Sequence, residues 1–174
     1  MGKTLLLTGR PGVGKTTVIK KVIAALGDQA GGFYTEEIRD ADGRRAGFRL
    51  VALDGVEAVM AHVDLRGEGR PRVGRYGVDT TAIKQVGVEA LRRAMEAHRV
   101  VIVDEIGKME LLCESFKEAV HAAIEGRTAV LATAMMGPHA WVDELKSRPS
   151  VETWQVRIGN RDRMAERVLR LLKR

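Results

Sequence analysis

Three glycines in six positions, followed by a lysine and a threonine, give residues 9–16 ("GRPGVGKT") the clearest chemistry in the chain. They fit the spacing G-x-x-x-x-G-K-S/T of a phosphate-binding loop. Without a Cβ, glycine lets successive backbone N–H groups turn inward and approach phosphate oxygens. Lys15 supplies a compact positive charge that can reach the β- and γ-phosphates, and the hydroxyl of Thr16 suits coordination of Mg2+. The expected nucleotide-binding residues are therefore Gly9, Arg10, Pro11, Gly12, Val13, Gly14, Lys15, Thr16 and Thr17.

Such a loop needs a carboxylate to hold the metal, and "VVIVDEIGKMEL" (100–111) supplies Asp104 at the end of an apolar run. Open α/β sheets place their sites at the carboxyl ends of strands. Glu105 follows directly and can polarise an attacking water as a general base. The expected catalytic residues are thus Glu105 and Lys15, and the expected metal ligands Thr16 and Asp104. Thr133 is a further candidate for orienting the water. Lys108 and the arginines 66, 70, 72 and 75 are candidates for stabilising phosphate charge. Four histidines (62, 98, 121 and 139) are scattered without ligand spacing, so a zinc site is not expected.

Elements that could position these groups are legible on either side. Residues 3–8 form an apolar run ending at a glycine, as a buried parallel strand does. Val18, Ile19, Val22, Ile23 and Leu26 then draw a helical stripe, with Gly27 as its stop. Residues 31–53 read as a hairpin around Asp42-Gly43, and 64–79 as a loop or short edge strand. Helices are expected over 80–98, with Asp79 or Thr80 as N-cap, around 114–125 and over 139–147. A last helix follows Asn160 as its cap. Strands are expected over 99–107, 128–135 and 151–158. This alternation predicts an α/β fold with a mainly parallel sheet, helices on both faces and an added antiparallel hairpin, in one domain spanning 1–174.

Composition narrows the partners. The chain has 174 residues and 45% hydrophobic content, enough for a real core. Its longest apolar runs are too short to cross a bilayer, and no signal peptide is visible, so no membrane partner is expected. The single cysteine, Cys113, points away from an oxidising compartment and towards the cytoplasm. A net charge of +6 suits polyanionic nucleotides. Nucleic acid is a weaker expectation, because aromatics total only 4% and do not interleave with the basic residues.

The chain resembles the small P-loop nucleoside-triphosphatases described from thermophiles, whose animal members are called cancer-related nucleoside-triphosphatase. The motifs that carry the resemblance are "TGRPGVGKTT" (8–17), "GGFYTEEIRD" (31–40), "AGFRLV" (46–51), "GRYGVD" (74–79), "VVIVDEIGKMEL" (100–111), "LAT" (131–133) and "GNRD" (159–162). They cover nearly the whole chain, which departs from the pattern at 133–145. The resemblance implies a three-layer, RecA-like P-loop fold and Mg2+-dependent hydrolysis of ATP, GTP and other triphosphates to the diphosphate, with little base selectivity. Two other functions share the same residues. A small kinase would use Glu105 to deprotonate a nucleoside or RNA hydroxyl, with the 66–75 loop as a lid. A nucleotide-dependent binding module would use hydrolysis as a timer.

Overall fold

The computed structural model describes residues 2–173. Strand β1 (Thr4–Thr8) is buried on both faces, so its three leucines face alternate sides. Leu5 and Leu7 pack with Val18, Ile19 and Val22 of α1 (Lys15–Leu26) and with Met164 and Val168 of α6 (Arg161–Leu172). Leu6 joins the opposite core, with Phe116, Val120 and Ile124 of α4 (Glu114–Glu125) and Val142 and Leu145 of α5 (Ala140–Ser147). The result is three layers, helix–sheet–helix, as the strand–helix alternation predicts.

The helix over 80–97 lies on the α4 side. It starts as a single turn, α2 (Thr80–Ala82), where the Asp79 carboxylate accepts from the Ala82 N–H and so acts as the N-cap. A π-helical stretch, Ile83–Val88, then leads into α3 (Glu89–Ala97). Amphipathic spacing predicts the helix but not this widening, which sits where Gly87 faces Phe33 and Leu50 of the sheet.

Nine strands form one sheet in the order β5-β6-β4-β3-β2-β7-β8-β1-β9. Besides β1 these are β2 (Ala30–Arg39), β3 (Arg45–Ala52), β4 (Glu57–His62), β5 (Arg72–Val73), β6 (Tyr76–Val78), β7 (Val100–Ile106), β8 (Ala129–Ala134) and β9 (Val151–Gln155). β1 pairs in parallel with β8 and β9, and β7 in parallel with β8 and β2. β2 also begins the antiparallel run, because the turn at 40–44 folds β3 back onto it. In that turn Asp40 Oδ1 accepts from the N–H groups of Asp42 and Arg44, and Gly43 takes a positive φ of 76°. The antiparallel part is longer than one hairpin, since β4, β6 and β5 extend it.

Asn160 precedes α6, but its side chain does not cap it. Its Oδ1 accepts from the Arg157 N–H at 2.8 Å and its Nδ2 donates to the Gln155 carbonyl at 2.9 Å. The expectation of an N-cap is corrected: the amide turns back to tie the strand end β9 to the turn before the helix.

Candidate active site

The phosphate-type loop bridges β1 and α1, and its backbone shows why glycine stands where it does. Gly12 and Gly14 have φ of 75° and 112°, a left-handed region that side chains rarely adopt. Gly9 is a close approach instead: a Cβ there would lie 2.7 Å from the Val156 carbonyl oxygen. From the "GNRD" motif, Arg161 Nη1 donates to the Val13 carbonyl at 3.2 Å and ties the loop to α6. The first turn of α1 has no side-chain cap and no acidic residue. Its free N–H groups and partial positive charge are left for an anion.

Lys15 is buried, and its Nζ donates to the Gly9 carbonyl at 2.9 Å. The same nitrogen lies 4.0 Å from Glu105 Oε2. Two strands away from β1, β7 carries an irregularity: Val103 pairs with Ala132, but the next pair is Ile106 with Ala134. One extra residue is thereby accommodated in β7 at 104–105, a bulge of the kind that re-aims side chains. Strict alternation would send two neighbouring carboxylates to opposite faces; here both line one cleft, at different depths. The peptide bond between them is cis.

Asp104 is only 1% exposed and accepts a hydrogen bond from the Thr133 hydroxyl. Burial pushes its carboxyl up, and the hydroxyls of Thr133 and Thr16, then the Lys15 charge, pull against that. Its second oxygen, Oδ2, is buried and has no hydrogen-bond partner. A buried carboxylate oxygen without a donor is a place for a cation. With the Thr16 hydroxyl on the same cleft, it fits Mg2+, which keeps several waters and takes few protein oxygens beside substrate phosphates. Thr133 is itself completely buried and holds Asp104, so it does not face the cleft as the orienter of a water.

Glu105 is half-buried. Burial raises its carboxyl, and the neighbouring Lys15 ammonium opposes that rise. A third carboxylate, Glu110, was not singled out from the sequence. It sits in a 3₁₀ turn (Glu110–Leu112) that β7 leads into, and is 4% exposed. Burial, then the negative Glu105, pushes it up to about 8. A Cβ on Gly107 would lie 3.0 Å from both Glu105 Oε1 and Glu110 Oε2. Those two oxygens are therefore at most twice that distance apart, and a side chain at 107 would crowd both carboxylates. The signal present in the sequence was the apolar company of Glu110, between Met109 and Leu111.

The cleft has a volume of about 910 Å³ and continues past Glu105 to Thr35 and Glu36 of β2, Phe48 of β3 and Met60 of β4. Lys108 lines it, as does Arg45, which sequence reasoning did not propose. The arginines 66, 70, 72 and 75 do not line it. Arg72 donates to the Arg75 carbonyl, and Arg75 to the Arg45 carbonyl, so these two brace the β5–β6 edge. Met135 and Met136 line the cleft, and Trp141 packs against the core with its ring stacked on His121, centroids 5.1 Å apart. Cys113 is buried at the start of α4. No helix among the described residues is long and apolar enough to cross a membrane.

A family model described as NTPase matches residues 4–169. The chain is 44% identical to nucleoside-triphosphatase THEP1 of Thermotoga petrophila, over 97% of this chain and 92% of that protein. It is 37% identical to a cancer-related nucleoside-triphosphatase homolog of Bos taurus, over 97% of this chain and 96% of the relative. The crystal structure of THEP1 from Aquifex aeolicus superimposes with a TM-score of 0.87 at 34% identity, covering 98% of this chain and 99% of that one.

Proposed function

The chain belongs to the NTPase family, and we propose that it hydrolyses nucleoside 5'-triphosphates to the diphosphate and phosphate, with Mg2+ and with little selectivity for the base. The observation that carries this reading is the convergence on one cleft of the glycine loop, Lys15, Asp104 and Glu105. The fold is the three-layer P-loop arrangement of its structural relatives, and the continuous sheet supports reading 1–174 as one domain. Action in the cytoplasm is part of the same reading.

In this mechanism Gly9 to Thr17 wrap the phosphates with backbone N–H groups, and Lys15 leaves the Gly9 carbonyl to meet the β- and γ-phosphates. Thr16 and Asp104 hold Mg2+, which when bound neutralises phosphate charge. Glu105 accepts the proton of the water that attacks the γ-phosphorus. Thr133 fixes Asp104 so that its free oxygen keeps facing the cleft. Every group named addresses phosphate, metal or water, which is why ATP, GTP, CTP and UTP should be handled alike.

The test is phosphate release by the purified protein from all four triphosphates, with Mg2+ and with a chelator. We expect kcat/KM values within roughly a hundredfold of one another, the span of ~1–3 kcal/mol differences in contact, and no release with the chelator. One base favoured well beyond that span, or turnover without a divalent cation, would contradict the reading.

A further inference from the structure

A base for the attacking water needs a fixed direction as well as basicity, since its oxygen must stay within hydrogen-bond reach of that water. Among the described residues the one side-chain partner of Glu105 is Lys15, whose Nζ lies 4.0 Å from Oε2. In the mechanism above that partner turns to the phosphates, and the carboxylate is left without it. The other oxygen of Glu105, Oε1, lies against Gly107. A point 3.0 Å from it, where a Cβ at 107 would stand, is also 3.0 Å from Glu110 Oε2. The two oxygens of Glu105 therefore have different neighbours: a cation at one and the Glu110 carboxyl group at the other.

Glu110 is held where it is by backbone. It is 4% exposed, begins the 3₁₀ turn after β7 and lines the same cleft. The Leu111 N–H donates to the Gly107 carbonyl at 3.0 Å, and the Cys113 N–H to the Glu110 carbonyl at 3.0 Å. The charges acting on its carboxyl group are negative, Glu105 first and then Asp104, while backbone N–H groups at 110 and 107 pull the other way. Lys108, in the same turn, is exposed, and Glu114 and Lys117 of α4 pair with each other at 2.8 Å. A buried carboxyl group beside a carboxylate keeps its proton, and a neutral acid has one hydrogen to donate.

We propose that Glu110 is a positioning residue: its carboxylic acid donates a hydrogen bond to Glu105 Oε1 and so holds Oε2 towards the attacking water. The inference rests on the hydrolysis proposed above and adds the group that aims its base. The two carboxyl oxygens are at most twice 3.0 Å apart. Glu105, half-buried and released by Lys15, closes the remainder to hydrogen-bond length. Glu110 keeps its own proton throughout; the proton of the water goes to Glu105.

The experiment measures kcat and KM for phosphate release from Mg·ATP by the full-length protein, beside equilibrium binding of Mg·ATP and melting temperature. Glu110→Gln retains a donor at nearly the same place and should turn over within about threefold of wild type. Glu110→Met fills similar space without a donor. Its kcat should fall roughly tenfold or more, the effect of losing a hydrogen bond to a charged group, while KM and Kd stay within about twofold. Added to Glu105→Gln, the same change should cost at most about twofold more, because the two residues act as one unit. If Glu110→Met does not fold, Glu110→Asp replaces it; this acid is drawn back by one methylene group and should lose turnover likewise. Normal kcat in the variants without a donor in reach overturns the proposal. So does an equal loss in Glu110→Gln, or a full further loss on top of Glu105→Gln; each of these leaves the hydrolase reading standing. No phosphate release by the wild type overturns the hydrolase reading, and this one with it.

Discussion

Replacing Glu105 by glutamine keeps the shape of the side chain and removes its charge and its basicity. Glu105 Oε2 lies 4.0 Å from Lys15 Nζ, and the glutamate side chain is 36% exposed. Two unit charges at that separation attract by ~4 kcal/mol at an effective dielectric of about 20. Exposure of this extent brings the net value down to ~1 kcal/mol or less. Lys15 therefore loses a weak competitor for the phosphates, and Mg·ATP should bind as well as to wild type or up to ~5-fold more tightly, since ~1.4 kcal/mol is tenfold. Turnover should behave in the opposite way. Without a base for the attacking water, kcat should fall by ~10²-fold or more. Tight binding with lost turnover marks an interaction made in the transition state. The assay sets single-turnover phosphate release beside equilibrium binding of Mg·ATP, with melting temperature to confirm folding. Normal kcat in Glu105→Gln would refute the base assignment. Equal losses in binding and turnover would refute the electrostatic reasoning.

Lys15→Ala should lower kcat/KM by ~10²-fold or more, since no other cation lies buried at the loop; phosphate release within about threefold of wild type would contradict the loop assignment. Asp104→Asn should raise the Mg2+ concentration needed for half-maximal turnover, read from metal titrations at saturating ATP. Glu110 makes the fold pH-sensitive. Its carboxyl is pushed from 4.5 to about 8 in the folded chain, so the native state binds this proton more tightly than the unfolded state does. Its stabilising share is complete below about pH 4.5 and is lost as pH rises through 8, on the order of a few kcal/mol in all. Glu110→Gln should therefore flatten the fall in melting temperature between pH 5 and 8; an unchanged slope would show that Glu110 is ionised in the native protein.

Local chemistry made part of this molecule legible in its residue order. The loop at 9–14 must turn through positive φ at Gly12 and Gly14, and only glycine does so cheaply. The stripe from Val18 to Leu26 repeats at helical spacing and ends at Gly27. The apolar runs at 4–8, 100–103 and 129–134 are too continuous for half-exposed strands, so their burial on both faces could be read directly. Each of these depends on residues within a few positions of one another, where steric and periodic rules operate.

Long-range pairing was decided elsewhere. Nothing in the order of residues says that β8 lies between β1 and β7, yet that placement sets Thr133 beside Asp104, where its hydroxyl donates to the carboxylate. The bulge that brings Asp104 and Glu105 to one cleft arises from the register of β7 against β8, a contact between residues about thirty apart in the chain. Glu110 gains its raised proton affinity only when the turn after β7 buries it beside Glu105, and Asn160 reads as an ordinary cap until Arg157 and Gln155 claim its amide. Burial and hydrogen-bond competition depend on which distant groups arrive at the same place. The residues could declare a phosphate loop and its acid, while their depth and charge state belong to the tertiary structure.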